Sequence, residues 1–175
     1  MALELTLFRH AKSDWHLDVA GDDRRRPLSK RGRAAAATMG RFLATSGRVP
    51  DLVLTSPAVR AHDTLRRAMA AGSWRCAVAV RPKLYGSFPE VLGEIAEVDA
   101  AVRSLMVVGH ETALLPLAGF LSGTLGVRLP TAAMLRLAFP LEHWSSIEGA
   151  SATITWLVTP RLLTGSARAP ELAVA

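Results

Sequence analysis

The stretch Leu3-Glu4-Leu5-Thr6-Leu7-Phe8-Arg9-His10-Ala11-Lys12-Ser13 decides how the rest of the chain is read. Leu3, Leu5 and Leu7 alternate with Glu4 and Thr6, the period of a β-strand. That strand runs out into a cation and an imidazole, Arg9 and His10, followed by the small residues Ala11 and Ser13. Ligands of open α/β sheets sit in the crevice beyond the carboxyl ends of the strands. An arginine fused to a histidine at that point suits the binding of an anion and attack on it. A lone Arg-His pair also arises by chance, so the reading depends on what the other strand ends deliver.

Working outward, residues 14–28 read as a polar loop containing Gly21, Pro27 and the charged run Asp22-Asp23-Arg24-Arg25-Arg26. Ser29 is placed to cap a helix reaching about residue 46, with Ala35, Met39, Phe42 and Leu43 at helical spacing and Gly47 ending it. Residues 51–55 form a short buried strand, and Ser56-Pro57 opens a second helix, with proline at the first helical position. Ala58, Ala61, Leu65, Ala68 and Met69 give that helix its inner face. A strand over residues 76–80 and a helix over 88–102 follow. Leu105-Met106-Val107-Val108 is apolar throughout, as a parallel strand covered on both faces must be, and ends in Gly109-His110. The next helix, with Pro116 in its first turn, reaches about residue 121. Residues 134–139 and 152–158 alternate as two further strands, read as an antiparallel hairpin at the sheet edge. The expected architecture is a three-layer α/β/α sandwich with a mostly parallel central sheet, one catalytic domain over residues 1–160 and a mobile C-terminal tail over 161–175.

Composition narrows the function classes. The chain has 175 residues, half of them hydrophobic, which suits a single folded domain. No run approaches the roughly 18 to 20 apolar residues of a membrane span, and Met1 leads straight into the first strand, so a cytoplasmic address is the expectation. Cys76 is the single cysteine, which excludes an intrachain disulfide and a thiolate metal cluster. The net charge is +6, with basic residues crowded over residues 24–33. Such a run either steers a phosphorylated or acidic partner or forms a solubilising arginine-rich face. It lacks the interleaved aromatics of a single-strand nucleic-acid binder.

Three strand ends carry matching equipment: Arg9 and His10 at the first, Ser56 and then Arg60 at the second, and His110 behind Gly109 at the fourth. In a parallel sheet these ends open on one edge, where two imidazoles and two guanidiniums surround a small volume and helix N-termini add positive dipole ends. Phosphoryl transfer through a covalent intermediate needs this set. Guanidiniums take phosphate oxygens bidentately, and a neutral imidazole is a competent nucleophile near pH 7. With no aspartate-rich cage nearby, no metal or other cofactor is expected, and the arginines take the place magnesium has elsewhere.

Arg9-His10-Ala11-Lys12-Ser13, Asp23 ahead of Arg26-Pro27-Leu28 and Gly32, Ser56-Pro57-Ala58-x-Arg60-Ala61, and Val108-Gly109-His110, taken in order, resemble the histidine phosphatase superfamily, whose fold is phosphoglycerate mutase-like, and within it the SixA-type phosphohistidine phosphatases. The resemblance implies a metal-independent phosphatase with His10 as the nucleophile that becomes phosphorylated and Arg9, Arg60 and His110 as the phosphate pocket. Ser13, Arg26 and Glu111 would line its rim. The partner would be a phosphohistidine protein or a small phosphorylated substrate, with neither nucleic acid nor membrane involved. Two departures stand out: Arg-His-Ala replaces the commoner Arg-His-Gly, and the proline usual shortly after the second histidine is missing from Glu111-Thr112. Glu111 is a possible proton donor, the loop around Tyr85 offers no obvious general acid, and Glu90, Glu94 and Glu97 read as a solvated helix stripe. The alternatives are a small-molecule phosphomonoesterase or mutase on the same scaffold, and a non-catalytic binder of acidic ligands.

Overall fold

A computed structural model describes residues 2–16 and 21–165. β1 (Leu3–Arg9) is its central strand, hydrogen-bonded to β4 (Ser104–Gly109) in parallel on one side and to β5 (Met134–Phe139) antiparallel on the other. Beyond β4 lie β2 (Leu52–Thr55) and then β3 (Ala77–Val80), all parallel, and beyond β5 lies β6 (Thr153–Val158), antiparallel. The six-stranded order is β3-β2-β4-β1-β5-β6. The mostly parallel sheet and the antiparallel pair at its edge agree with the sequence reading.

Strand alternation sends Leu3, Leu5 and Leu7 to one face and Phe8 to the other, all of them fully buried. Against the Phe8 face pack α1 (Lys30–Thr45) and α2 (Val59–Gly72), through Met39, Leu43, Leu65 and Ala68. Against the leucine face pack α3 (Phe88–Ala96), α4 (Glu111–Ser122) and a 3₁₀ segment, Trp144–Gly149, whose buried Trp144 donates its indole N–H to the carbonyl of Val102 at 2.7 Å. Helices thus cover both faces. Across the buried strands, Arg136 of β5 meets Glu4 of β1 in an ion pair that also reaches Thr6.

The register of the parallel strands builds the functional edge. Phe8 lies opposite Val108 and Arg9 opposite Gly109, while Thr55 lies opposite Val108 from the other side. The chain continues this pairing past the strand ends, since the His10 N–H donates to Gly109 at 3.0 Å and the Ser56 N–H to Val108 at 3.0 Å. His10, Ser56 and His110 therefore leave the sheet side by side.

Several boundaries differ from expectation for local reasons. Ser29 caps α1 by accepting the Gly32 N–H at 3.1 Å, as expected. α2 starts at Val59, leaving Pro57 ahead of the cap residue Ala58, because Ser56 turns its hydroxyl towards His110 and the Ala58 N–H. β3 excludes Cys76. α3 ends at Ala96, short of residue 102, where Asp99 draws the Ala101 N–H to its carboxylate at 2.7 Å and the Val102 N–H to its carbonyl at 3.0 Å in a competing turn. Pro116 lies in the middle of α4, not its first turn. It is tolerated because both Pro116 and Thr112, the residue whose carbonyl loses its partner, are exposed. Of the glutamate stripe, Glu90 and Glu97 are exposed as expected, Glu90 completing a capping box with Ser87, but Glu94 is buried and pairs with Arg81 at 3.1 Å and Lys83 at 3.3 Å. Of the expected tail, Pro160–Leu163 forms the short helix α5 beside α1. The expectation for residues 166–175, like that for 17–20, lies outside the described residues.

The approach of α1 to α2 requires glycine at position 40, where a Cβ would stand 2.0 Å from the Ala68 carbonyl oxygen. Gly93 in α3 faces open space. Gly40→Ala should therefore cost about 1–3 kcal/mol, and Gly93→Ala should be neutral or stabilising by up to about 1 kcal/mol. Thermal denaturation of the two variants checks this. Equal melting temperatures would contradict the packing described.

Candidate active site

At the carboxyl edge, Arg9, His10, Arg60, His110 and Glu111 line one cavity of about 340 Å³, together with Asp23, Tyr85 and Thr112. The sequence-predicted residues Ser13 and Arg26 line an adjoining cavity that shares Arg9 and His10 with the first. All the residues expected at the site from sequence thus lie around one edge, divided between two cavities.

The imidazoles sit with ring centroids 5.1 Å apart. His10 Nδ1 lies 2.8 Å from the carbonyl oxygen of Ala11, which can only accept, so Nδ1 carries the proton and Nε2 keeps its lone pair. That Nε2 accepts the Arg60 Nε–H at 3.3 Å. Arg60 also donates from Nη2 to His110 Nδ1 at 3.3 Å, which places the His110 proton on Nε2, facing the Ser56 hydroxyl at 2.9 Å. A single buried guanidinium therefore fixes both tautomers.

Arg60 is itself held from the other side. It is 5% exposed and donates to the Asp23 carbonyl at 2.7 Å and to the Asp23 carboxylate at 2.9 Å. Asp23 also binds Arg26 and accepts the Tyr85 hydroxyl at 3.0 Å. Burial pushes the Asp23 carboxyl up, but the Tyr85 hydrogen bond and the Arg60 and Arg26 guanidiniums hold it below the usual carboxylate range. Tyr85 stands edge-on to His110, with ring centroids 5.0 Å apart. Below the site, Thr64 accepts the Ala11 N–H at 2.9 Å and donates to the Arg60 carbonyl at 2.6 Å, tying α2 to the turn after β1. Arg9 donates from Nη1 to the Leu129 carbonyl at 2.9 Å and from Nη2 to Glu111 at 2.8 Å, while its buried Nε has no partner among the described residues.

Sequence reasoning named the four basic residues but missed the bracing of Arg60 by Asp23, Tyr85 and Thr64. Tyr85 and Asp23 stood inside recognised stretches without an assigned partner. Thr64, one turn after Arg60, gave no signal beyond its helical spacing. The carbonyls of Ala11 and Leu129 leave no mark on sequence, because every residue carries one. The basic run over residues 24–33 is no uniform face either: Arg26 is buried, Arg33 donates to the Leu28 carbonyl at 2.7 Å, and Arg24 lies over the Tyr85 ring.

A pair of neutral imidazoles with guanidinium donors between them, at the carboxyl ends of parallel strands and the start of a helix, defines an oxyanion-binding site of the phosphoryl-transfer kind. The chain belongs to the histidine phosphatase superfamily (branch 1), whose family model matches residues 5–86. It is 33% identical over 163 residues to an uncharacterized protein of Mycobacterium tuberculosis, a match spanning 87% of this chain and 99% of that one. A structure from Nakamurella multipartitia assigned as a phosphohistidine phosphatase SixA superposes with a TM-score of 0.76 and 28% identity, covering 91% of this chain and 97% of that chain. The protein histidine phosphatase SixA complexed with tungstate shares the fold, with a TM-score of 0.77 at 22% identity over 92% of this chain and 99% of that chain. The protein is a SixA-like phosphatase of phosphoglycerate mutase-like fold.

Burial first, then the nearby Arg60 and Arg9 guanidiniums, lowers the His10 pKa to about 4, against the bond to Ala11 that raises it. Burial and then Arg60 lower that of His110 to about 3. Both rings are neutral in the free protein at pH 7. Because both folded-state values lie below the ordinary 6.5, the unfolded chain binds more protons between pH 6.5 and about 3. Their contribution to stability is thus complete above pH 6.5 and lost as pH falls through that window. Imidazole NMR should show both rings still neutral at pH 5.5, and titration of either near pH 6.5 would contradict the burial described.

Proposed function

We propose that the protein hydrolyses phosphohistidine through a covalent phospho-His10 intermediate, with no metal required. The observation that supports this best is the hydrogen bond from His10 Nδ1 to Ala11. It leaves a neutral Nε2 lone pair facing Arg60 and His110, inside the cavity where a phosphoryl group would sit.

In the first step the Nε2 lone pair forms a bond to phosphorus while the bond from phosphorus to the substrate imidazole breaks; that imidazole, already protonated on its other nitrogen, takes the bonding electron pair and leaves as the neutral ring. The Arg60 Nε–H, which loses its acceptor when Nε2 is phosphorylated, turns to a phosphoryl oxygen. The unpartnered Arg9 Nε offers a second donor. These guanidiniums supply charge stabilisation of the kind a metal provides in other phosphoryl-transfer sites. In the second step water attacks phosphorus, the bond to Nε2 breaks, and phosphate leaves with the proton the water gives up.

The substrate class follows from the acids available. The Glu111 carboxylate is engaged with Arg9, and the Asp23 carboxylate is held ionised by two arginines and Tyr85. An alkyl phosphate needs a strong general acid to expel its alkoxide, whereas the imidazole of phosphohistidine is protonated near neutral pH and departs readily. The SixA proteins that share the fold are named for that activity, which supports the same reading here.

Incubation with a histidine-phosphorylated protein and with p-nitrophenyl phosphate tests the assignment. His10→Ala should lower kcat on both by at least about 10³-fold, as loss of a covalent nucleophile does, and quenching of the wild type in alkaline detergent should trap an acid-labile, alkali-stable phosphoryl label that the variant lacks. Wild-type turnover by His10→Ala would overturn the nucleophile. Faster turnover of alkyl phosphates than of phosphohistidine would shift the reading to a small-molecule phosphomonoesterase.

A further inference from the structure

The second cavity, about 360 Å³ in volume, adjoins the first across Arg9 and His10 and is lined in addition by Lys12, Ser13, Trp15, Arg26, Arg31 and Thr131. Its charge differs in kind from that of the catalytic cavity. There, Asp23 and Glu111 balance Arg60 and Arg9. Here four cations line the wall, with no carboxylate among the described lining residues. Lys12 and Arg31 are exposed and have no ion-pair partner among the described residues. Arg26 is 6% exposed, and although Nη2 binds Asp23, its Nε and Nη1 have no hydrogen-bond partner among the described residues. The exposed Trp15 ring lies over that guanidinium at 3.3 Å. Buried N–H groups of an arginine are costly to leave unpaired, and Lys12 and Arg31, which have no ion-pair partner among the described residues, are repelled by each other and by the cations beside them. Both costs are relieved by an anion.

We propose that this cavity is a second anion subsite, which receives a negatively charged group carried by the substrate beside its scissile phosphoryl group. The inference rests on the phosphatase reading of the first cavity. Because the two cavities share His10, the second anionic group lies only a short tether from the phosphorus. A carboxylate next to phosphohistidine in a peptide and the second phosphate of a small bisphosphorylated molecule present the same chemistry to Lys12, Arg26 and Arg31. The backbone around these residues is fixed independently of any ligand. The Lys12 carbonyl accepts both the N–H and the hydroxyl of Ser29, and Gly32 fits only because it has no Cβ, which would stand 2.0 Å from that same oxygen. The cation cluster is therefore held in place at the start of α1.

Matched substrates separate this subsite from catalysis itself. One arm compares histidine-phosphorylated peptides flanked by Glu with the same peptides flanked by Gln. The other compares a small bisphosphate with its monophosphate. In the wild type, kcat/KM should favour the more anionic member of at least one pair by about tenfold, the worth of one charge-assisted contact. The ratio should fall towards one in the Lys12→Gln/Arg31→Gln double variant and at high salt. Preference in the peptide arm identifies an acidic protein segment as the natural occupant, and preference in the other identifies a bisphosphate. Absence of discrimination in both arms, or discrimination that survives the double variant, overturns the subsite. Turnover of p-nitrophenyl phosphate, abolished by His10→Ala, reports on the catalytic reading separately, so either can fail without the other.

Discussion

The site depends on one guanidinium. Arg60 lies in the first turn of α2, buried between two imidazoles that accept its hydrogen bonds and an aspartate that takes its charge. A buried cation with four acceptor atoms around it is well satisfied, whereas the same cation with one partner removed is costly. This makes the arrangement cooperative: the tautomers of His10 and His110, the position of the loop carrying Asp23 and the tilt of Tyr85 are set together. Burial first, and then the charge of Arg60, keeps both rings neutral. Phosphate chemistry benefits from both consequences, since it needs an unprotonated nucleophile and donors already oriented at the place where charge develops.

What positions Arg60 is the sheet. The parallel register of β1, β4 and β2 brings three strand ends to one edge, and Thr64 pins α2 to the turn after β1. The two apolar layers then need only hold helices against a sheet, as α/β proteins do in general. The antiparallel β5 and β6 extend the sheet on the far side of β1 and leave the functional edge to the parallel half. Loss of packing at the α1–α2 contact would thus reach catalysis indirectly, by loosening the helix that carries Arg60.

Much of this was legible in the sequence. Alternating Leu3, Leu5 and Leu7 marked the central strand, the apolar run ending in Gly109-His110 marked its parallel neighbour, and Ser29 marked the start of α1, because each is set by local periodicity or capping chemistry. The meeting of Arg9, His10, Arg60 and His110 at one edge followed from residue type at and just after strand ends. Contacts made by backbone carbonyls, and those between loops distant in sequence, were not legible. The pairing of Asp23 with Arg60 joins residues on a loop and a helix that sequence cannot place side by side, and Glu94 looked solvated because its partners Arg81 and Lys83 come from another element. The division of the basic run into a buried Arg26, an Arg33 bound to the Leu28 carbonyl and a cavity-lining Arg31 likewise needed three dimensions to be seen.

The most direct measurement is a crystal structure of the protein soaked with vanadate, which takes the trigonal bipyramidal geometry of phosphoryl transfer. The metal centre is expected within bonding distance of His10 Nε2, with equatorial oxygens accepting from Arg9 Nε, Arg60 and His110 and the Asp23 carboxylate still bound to Arg60. Vanadate seated away from His10, or reached by only one of the two guanidiniums and neither imidazole, would contradict the convergence on which the catalytic reading stands.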